Sequence, residues 1–414
     1  MDFIRKRIGI VGGGQLGKMM ILEAKRLGFY VVTLDPAEDC PSHSISDEHI
    51  AAGFDDEAAY HELAGKVDVI TYEFEHIHAR VLETLEQKGH IVYPSIASLK
   101  IIQDKYSQKE TLHKNGVPVP RFAPVDNVNA IKALGADACL GVSRQQSAQN
   151  AIPALGAGRG TLGAHSPGSL GYPLMLKTTL GGYDGKGNAL VLSEADAEDA
   201  YRLLGGGSTA LMAEEFVDFE KEISIIATRG IDGNRVIYPP AENIHRNSIL
   251  DITIVPARIP GEAEIKASQI AHRVMEVFEG VGTFCVEMFL AKNGEILVNE
   301  VAPRPHNSGH YTIEGCLVNQ FENHIRAITG LPLGSVELVS PTVMINLLGE
   351  SDGSARLKGL EEAYADPNIH VHFYGKSESK TDRKMGHLTA VDKTADAALA
   401  RAKRAKELVK VVGV

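Results

Sequence analysis

Cysteine is scarce in this 414-residue chain: there are four, Cys40, Cys139, Cys285 and Cys316. None forms a C-x-x-C pair or sits in a histidine-rich stretch, which argues against both a zinc site and a disulfide framework and fits a reducing cytosol. Positive charge is also in short supply, since 42 Lys and Arg face 53 Asp and Glu and leave a formal charge of −11. Such a surface repels a polyanion, so nucleic acid is not an expected partner and any bound phosphate must be met by local Lys and Arg. No apolar run nears the roughly 20 residues that a membrane helix needs. The N-terminus lacks the apolar core and small-residue cleavage pattern of a leader, and there is no internal repeat. A soluble, cytoplasmic protein is expected. What is plentiful is ordinary globular material, 44% hydrophobic and 23% charged residues, enough for roughly two or three packed domains.

The first part of the chain alternates strand and helix. Residues 7–11 read as a buried strand, 12–17 as a turn, 18–27 as a helix, 29–34 and 67–71 as strands, 77–87 as a helix and 90–93 as a short strand. That order is the pattern of a parallel doubly wound sheet. A helix over 98–114 leads out of this domain, and Val117-Pro118-Val119-Pro120 reads as an extended linker. Residues 129–169, rich in Gly, Ala and Ser, read as an irregular surface insertion or as a short helix with a loose loop and no role. Strands over 172–192, 211–227 and 283–301 with antiparallel spacing give an α+β domain, and short strands and turns close the chain. The fold class is therefore α/β and α+β. The expected division is a Rossmann-like domain over 1–108, a second domain over 109–330 and a small β-rich C-terminal domain over 331–414.

Two glycine loops compete for the role of nucleotide site. Gly12-Gly13-Gly14-Gln15-Leu16-Gly17 satisfies G-x-G-x-x-G between a strand and a helix, with Asp35 at the end of the next strand. Taken alone it suggests a dinucleotide site, but the motif requires only that backbone N–H groups can face an anion, and a tight packing turn would look the same. The second loop follows Lys177 and runs Gly182-Tyr183-Asp184-Gly185-Lys186-Gly187-Asn188. Its glycines make a flap whose amides can fold over phosphate oxygens while Lys177 and Lys186 supply charge. The G-K-[ST] ending of a Walker A loop is absent, and a Gly-rich hairpin turn is often no more than a turn.

Lys292-Asn293-Gly294 carries the Asn-Gly hairpin signal. A two-residue loop there sets Lys292 opposite Glu295 and, further back, Glu287 opposite Glu300. Two carboxylates so placed, with Cβ atoms about 5 Å apart, repel unless a cation lies between them, and magnesium carrying nucleotide phosphates is the natural occupant. The alternative is a solvated pair at a sheet edge. Arg304, just past this strand, can hold a planar anion such as bicarbonate bidentately or can make a structural salt bridge. Glu214-Glu215-Phe216-Val217 and Glu222 can offer backbone groups to an adenine edge and a carboxylate to ribose hydroxyls. Lys376, Lys380, Arg383 and Lys384 form a basic cluster that suits a 5′-phosphate, unless it is only a solvated loop.

These features occur in the order and rough spacing of the ATP-grasp superfamily. Within it the chain resembles the carboxyaminoimidazole ribonucleotide synthetases of purine biosynthesis, the ATPase subunits of phosphoribosylaminoimidazole carboxylase. The resemblance rests on IGIVGGGQLG at 8–17, TYEFE at 71–75, GYDGKG at 182–187, AENIHRN at 241–247, EVAPRPHNSG at 300–309 and RKMGHL at 383–388, and it runs from about residue 7 to 392.

The resemblance implies an ATP-grasp fold with an N-terminal pre-ATP-grasp domain and a small C-terminal domain. It places ATP phosphates on Lys105, Lys177 and the flap 182–188, adenine on Glu214 to Val217, ribose on Glu222, and His245 and Asn299 in the nucleotide site. Magnesium falls to Glu287 and Glu300, catalysis to Arg304, Lys177 and His245, and the ribonucleotide to Gln15, Leu16, Glu73, Asn307, Lys376, Arg383 and Lys384. Lys105 stands where the resembling enzymes usually carry Arg, keeping the charge but losing bidentate geometry. The implied reaction makes carboxyphosphate from bicarbonate and ATP and carboxylates the exocyclic amine of aminoimidazole ribonucleotide, and His245 and His306 are candidate proton shuttles. A homodimer and functional coupling to a downstream mutase are the implied assemblies. A formate-dependent glycinamide ribonucleotide transformylase, a non-catalytic nucleotide-binding protein and a dehydrogenase are the competing readings.

Overall fold

The computed structural model describes residues 6–136, 169–182 and 186–414. They form two compact units, one from the chain up to Val119 together with Asp218–Val414, the other from Pro120–Val217. Among the described residues no helix is long and apolar enough to cross a membrane.

In the larger unit the N-terminal strands Glu48–Ala51, Tyr30–Asp35, Arg7–Val11 and Val69–Tyr72 lie side by side in that order, all parallel. Ile8, Ile10, Val31, Val32 and Leu34 are fully buried, as strands covered on both faces require. The edge strand Glu48–Ala51 and the helix Glu57–Lys66 were not predicted. The strand buries only Ile50 of its four residues, which leaves no alternating pattern to read, while the helix is set by Asp56, whose side chain accepts from the Ala58 and Ala59 amides. The strand predicted over 90–93 contributes a single bridge, Val92 beside Ile70.

The single helix predicted over 98–114 is two, Ile96–Gln103 and Lys105–Lys114. Asp104 breaks it with an extended backbone, and its side chain accepts from the Ser107 amide at 2.7 Å as the N-cap of the second helix. Lys105 is thereby placed in the first turn of a new helix.

Most of the rest of this unit is one large antiparallel sheet, beside a small three-stranded one of Glu378–Ser379, Gly353–Lys358 and Lys410–Gly413. The strands of the large sheet follow the order Ile296–Ala302, Gly282–Ala291, Phe219–Arg229, Ala241–Arg246, Ile249–Val255, Thr342–Leu348, Lys384–Val391 and Ile369–Phe373. The helix Gly261–Phe278 packs Ala267, Ala271, Val274 and Phe278 onto Ile223, Ile225, Phe284 and Val286, and the helix Ala395–Leu408 packs Ala398, Ala402 and Ala405 onto Ile345 and Leu388. The stretch beyond residue 330 extends the same sheet, through Ile252 opposite Ile345.

The smaller unit is a four-stranded antiparallel sheet in the order Phe122–Val125, Leu211–Glu215, Leu174–Thr178, Asn188–Val191, with helices Val128–Gly135 and Ala197–Leu203. The start of the predicted insertion is thus regular: Asn127 caps the helix Val128–Gly135, which buries Ile131 and Leu134. The remainder, 137–168, lies outside the described residues.

Replacing Asp104 with Ala removes a side-chain cap and should lower stability by about 1 kcal/mol. Denaturant unfolding of the variant against the parent measures it.

Candidate active site

The first glycine loop is occupied by the protein's own carboxylates. The Gly13 amide donates to Asp35 at 2.7 Å and the Gly17 amide donates to Glu73 at 2.8 Å. A Cβ on Gly14 would stand 2.2 Å from a Glu73 carboxylate oxygen, and one on Gly17 would stand 2.4 Å from the Gly12 carbonyl oxygen. The glycines are therefore needed to close a turn around Glu73. Asp35, the expected ribose ligand of a dinucleotide fold, is spent on the loop, so the dehydrogenase reading loses its geometry.

Burial pushes the Glu73 carboxyl up to about 7, with Asp35 adding to it and the Gly17 amide and Lys376 opposing. Lys376 is pulled down to about 8 by burial and by Arg383 and Lys384, while Glu73 works the other way. Glu73, Lys376, Arg383 and Lys384 thus share one electrostatic neighbourhood. It adjoins the N-terminus of the helix Gln15–Arg26, whose Lys18 donates to the Phe373 and Tyr374 carbonyls. Leu16 points into the core, 7% exposed, and offers only its backbone, whereas Gln15 is half-buried. Asn307 is buried and exchanges amide hydrogen bonds with Asn346 at 3.0 and 2.7 Å.

The acidic pair lies on the hairpin Gly282–Ala291 and Ile296–Ala302, where Glu287 faces Glu300 as predicted, but by a different route. The Gly294 amide donates to the Ala291 carbonyl and the Ala291 amide to the Glu295 carbonyl, so the loop is the three residues Lys292, Asn293 and Gly294, with Gly294 at φ +82°. Ala291, not Lys292, is opposite Glu295. That register alone would put Asn299 opposite Glu287 and turn Glu300 to the other face. A bulge between Glu287 and Met288 restores the match, since Met288 pairs with Val298, Glu287 with Glu300, and Asn299 is the extra residue. Ile296 and Val298 are buried, while Asn299 and Glu300 are both half-open.

Burial and the charge of Glu300 push the Glu287 carboxyl up to about 7, against the pull of His245 and Lys105. Lys105 donates to Glu300 at 2.7 Å. His245 and Glu222 are hydrogen-bonded at 2.6 Å, and although burial works against protonation of His245, Glu222 outweighs it and raises the imidazole's pKa. His306 stands 3.7 Å from Glu287. The Cys285, Glu287 and His306 ligand atoms lie within 4.8 Å of one another, but burial pushes the Cys285 thiol well above its usual range. Two facing carboxylates, one of them disfavoured as an anion by burial and by its neighbour, suit a hard divalent cation.

Arg304 makes the structural salt bridge, one of the two roles expected for it. Its Nε and NH2 groups donate to the two oxygens of Glu75 at 2.5 and 3.1 Å and its NH1 group to the Pro305 carbonyl at 3.1 Å, in a pair 14% and 13% exposed. The fork assigned to bicarbonate is thus held by Glu75, and two N–H protons remain. Burial alone would raise the Glu75 carboxyl, but the guanidinium overrides it and holds it at about 2.

In the smaller unit Lys177 forms an ion pair with Glu214, and both are largely buried. Glu215 is taken by Arg121, whose Nε and backbone amide donate to it at 2.6 and 2.9 Å. Phe216 is exposed and Val217 half-buried beyond the strand end. The flap joins Leu174–Thr178 to Asn188–Val191: Gly182 is buried, Lys186 exposed, Gly187 sits at φ +83° and Asn188 pairs with Lys177. Tyr183, Asp184 and Gly185, expected in the flap, lie outside the described residues.

Sequence reading passed over Glu75, Asn346, Asn243, Ser224 and Ser308 as individuals. Glu75, Asn243 and Ser308 stood inside motifs already singled out; Asn346 and Ser224 carried no local signal.

Three family models match the chain: a ribonucleotide synthetase pre-ATP-grasp domain over residues 5–103, an ATP-grasp domain over 164–321 and a phosphoribosylaminoimidazole carboxylase C-terminal domain over 342–401. The N5-carboxyaminoimidazole ribonucleotide synthase of Staphylococcus aureus strain COL is 42% identical over 386 residues, 93% of this chain and 92% of that one. The crystal structure of N5-carboxyaminoimidazole ribonucleotide synthetase from Thermotoga maritima is 43% identical, with a TM-score of 0.83 over 99% of this chain and 100% of that one. The Aspergillus clavatus synthase in complex with ADP and 5-aminoimidazole ribonucleotide is 31% identical, with a TM-score of 0.82 over 98% and 99%.

Glu75→Gln should strand the buried Arg304 cation and cost about 3–5 kcal/mol. The parent pair's contribution, present above pH 4.5, should vanish as pH falls toward 2, because the folded carboxyl is the one whose pKa is depressed. The gap between parent and variant in denaturant unfolding should therefore narrow over that window.

Proposed function

The chain belongs to the N5-carboxyaminoimidazole ribonucleotide synthase family, the ATP-grasp ligases of purine biosynthesis, and on that premise we propose how its own residues carry the reaction. A bicarbonate oxygen attacks the γ-phosphorus of ATP and the bond to ADP breaks, leaving ADP and carboxyphosphate. The exocyclic amine of 5-aminoimidazole ribonucleotide takes up the carboxyl carbon, from carboxyphosphate or from CO2 released beside it. Phosphate departs and the amine loses a proton.

The observation that carries this reading is Glu287 opposite Glu300 across a bulged hairpin, with Lys105 on one and His306 beside the other. Glu287 and Glu300 would hold magnesium, which would supply positive charge to the phosphate oxygens. Lys177 and the 182–188 flap hold the phosphates, residues 214–217 the adenine, and Glu222, braced by His245, the ribose. Glu73, the N-terminus of the helix at Gln15 and Leu16, Asn307 and the basic group Lys376, Arg383 and Lys384 receive the ribonucleotide. Arg304, with its fork fixed by Glu75, presents its remaining N–H groups to the carboxylate being transferred. The task is positioning and charge stabilisation, with no covalent enzyme intermediate. A cytosolic homodimer, functionally coupled to the mutase that consumes its product, completes the proposal.

Coupled detection of ADP with bicarbonate and aminoimidazole ribonucleotide, each omitted in turn, is the test. ADP should require both, and formate should not replace bicarbonate. ADP release with formate and glycinamide ribonucleotide would select the transformylase, and silence with both pairs a binding protein. Glu300→Gln should lower kcat on the order of 100-fold or more.

A further inference from the structure

Behind His306 runs a buried row of polar side chains that the reaction as written does not use. Thr253 Oγ1 donates to Asn243 Oδ1 at 3.0 Å, Asn243 Nδ2 donates to Ser224 Oγ at 2.8 Å, and Ser224 Oγ donates to Ser308 Oγ at 2.9 Å. All four residues are at most 5% exposed. Every bond in the row points the same way. Having accepted from Ser224, the Ser308 hydroxyl keeps its own proton to give, and His306 Nδ1 lies 2.9 Å away.

A second contact fixes the sense. The Ser308 backbone N–H also meets His306 Nδ1, at 3.3 Å, making the imidazole the side-chain cap of the short turn Asn307–Gly309. A backbone amide can only donate, so Nδ1 must present its lone pair and the ring's single proton must sit on Nε2. Nε2 is the atom that stands 3.7 Å from Glu287. An Nδ1 that accepts from a backbone amide also excludes the doubly protonated ring, so the imidazole is neutral.

We propose that the chain Thr253–Asn243–Ser224–Ser308 locks His306 in its Nε2–H tautomer, so that His306 serves the reaction as a fixed hydrogen-bond donor to the reacting oxyanion and not as a base. Ser308 and Ser224 are positioning residues acting through that ring. A nitrogen that carries a proton cannot ligate a metal, so His306 is also excluded from the cation site despite its place beside Glu287 and Cys285. The inference deepens the carboxylation reading and rests on it for the identity of the oxyanion, but the tautomer is a property of the resting protein.

Two-bond 1H–15N correlation spectra of the full chain labelled with 15N-histidine, recorded at mildly alkaline pH, test it directly. The His306 signals are assigned by their loss in His306→Gln. The expected result is the Nε2–H pattern in the parent and, in Ser224→Ala, where the longer Ser308 amide contact still holds Nδ1 but Ser308 Oγ is free to accept, a measurable Nδ1–H fraction; an unchanged pattern in that variant overturns the role given to the row. The Nδ1–H pattern in the parent overturns the proposal whether or not the Ser224 variant folds, and whatever substrate the enzyme proves to use. In the activity assay His306→Gln, which keeps a donor near Nε2, should retain more kcat than His306→Asn, which keeps only the Nδ1 side and should lose about 100-fold or more. Equal or greater activity in His306→Asn would contradict the donor role.

Discussion

Two like charges set face to face in an apolar hairpin govern this molecule. Glu287 lies opposite Glu300 at a separation of about 5 Å, and burial together with the Glu300 charge raises the Glu287 carboxyl to about 7. The neighbouring groups answer the same constraint: Lys105 binds Glu300, and the broken helix at Asp104 is what delivers Lys105. His245, next in reach, is turned to Glu222 and raised by it. A divalent ion would convert an electrostatic liability into a grip on polyphosphate, which is how a chain with a net charge of −11 can bind a tetra-anionic nucleotide.

The same economy recurs elsewhere in the larger unit. Where the chain exposes a strong donor, it supplies its own carboxylate. Glu73 and Asp35 take the amides of the glycine loop, and Glu75 takes the fork of Arg304. A motif that elsewhere cradles pyrophosphate becomes a rigid corner holding a carboxylate next to Lys376, and an arginine that would otherwise be a flexible side chain becomes a fixed cation. Both arrangements fix the groups in place in advance, which is what a reaction with a labile intermediate demands.

Much of this was legible in the sequence because chemistry-bearing residues sat close together along the chain. The apolar runs at Arg7–Val11 and Tyr30–Asp35 announced a parallel sheet, and Asn-Gly at 293–294 announced the hairpin. The facing of Glu287 and Glu300 was reached through a two-residue loop that does not exist; a three-residue loop shifts the register by one and the bulge at Asn299 shifts it back. Bulges have no reliable local signature, so that agreement was not secured by the reasoning behind it. Partnerships across long sequence separations were illegible for the same reason: nothing near Arg304 names Glu75, and nothing near Asn307 names Asn346. The polar edge strand Glu48–Ala51 and the break at Asp104 were missed because each depends on a single residue rather than on a period.

The central claim is that the bulged hairpin exists to bring two carboxylates onto one divalent cation. Anomalous diffraction from crystals of the protein grown with ADP and manganese tests it most directly. The account predicts a manganese peak coordinated by both Glu287 and Glu300; a peak bound to neither, or to Cys285 and His306 instead, would contradict it.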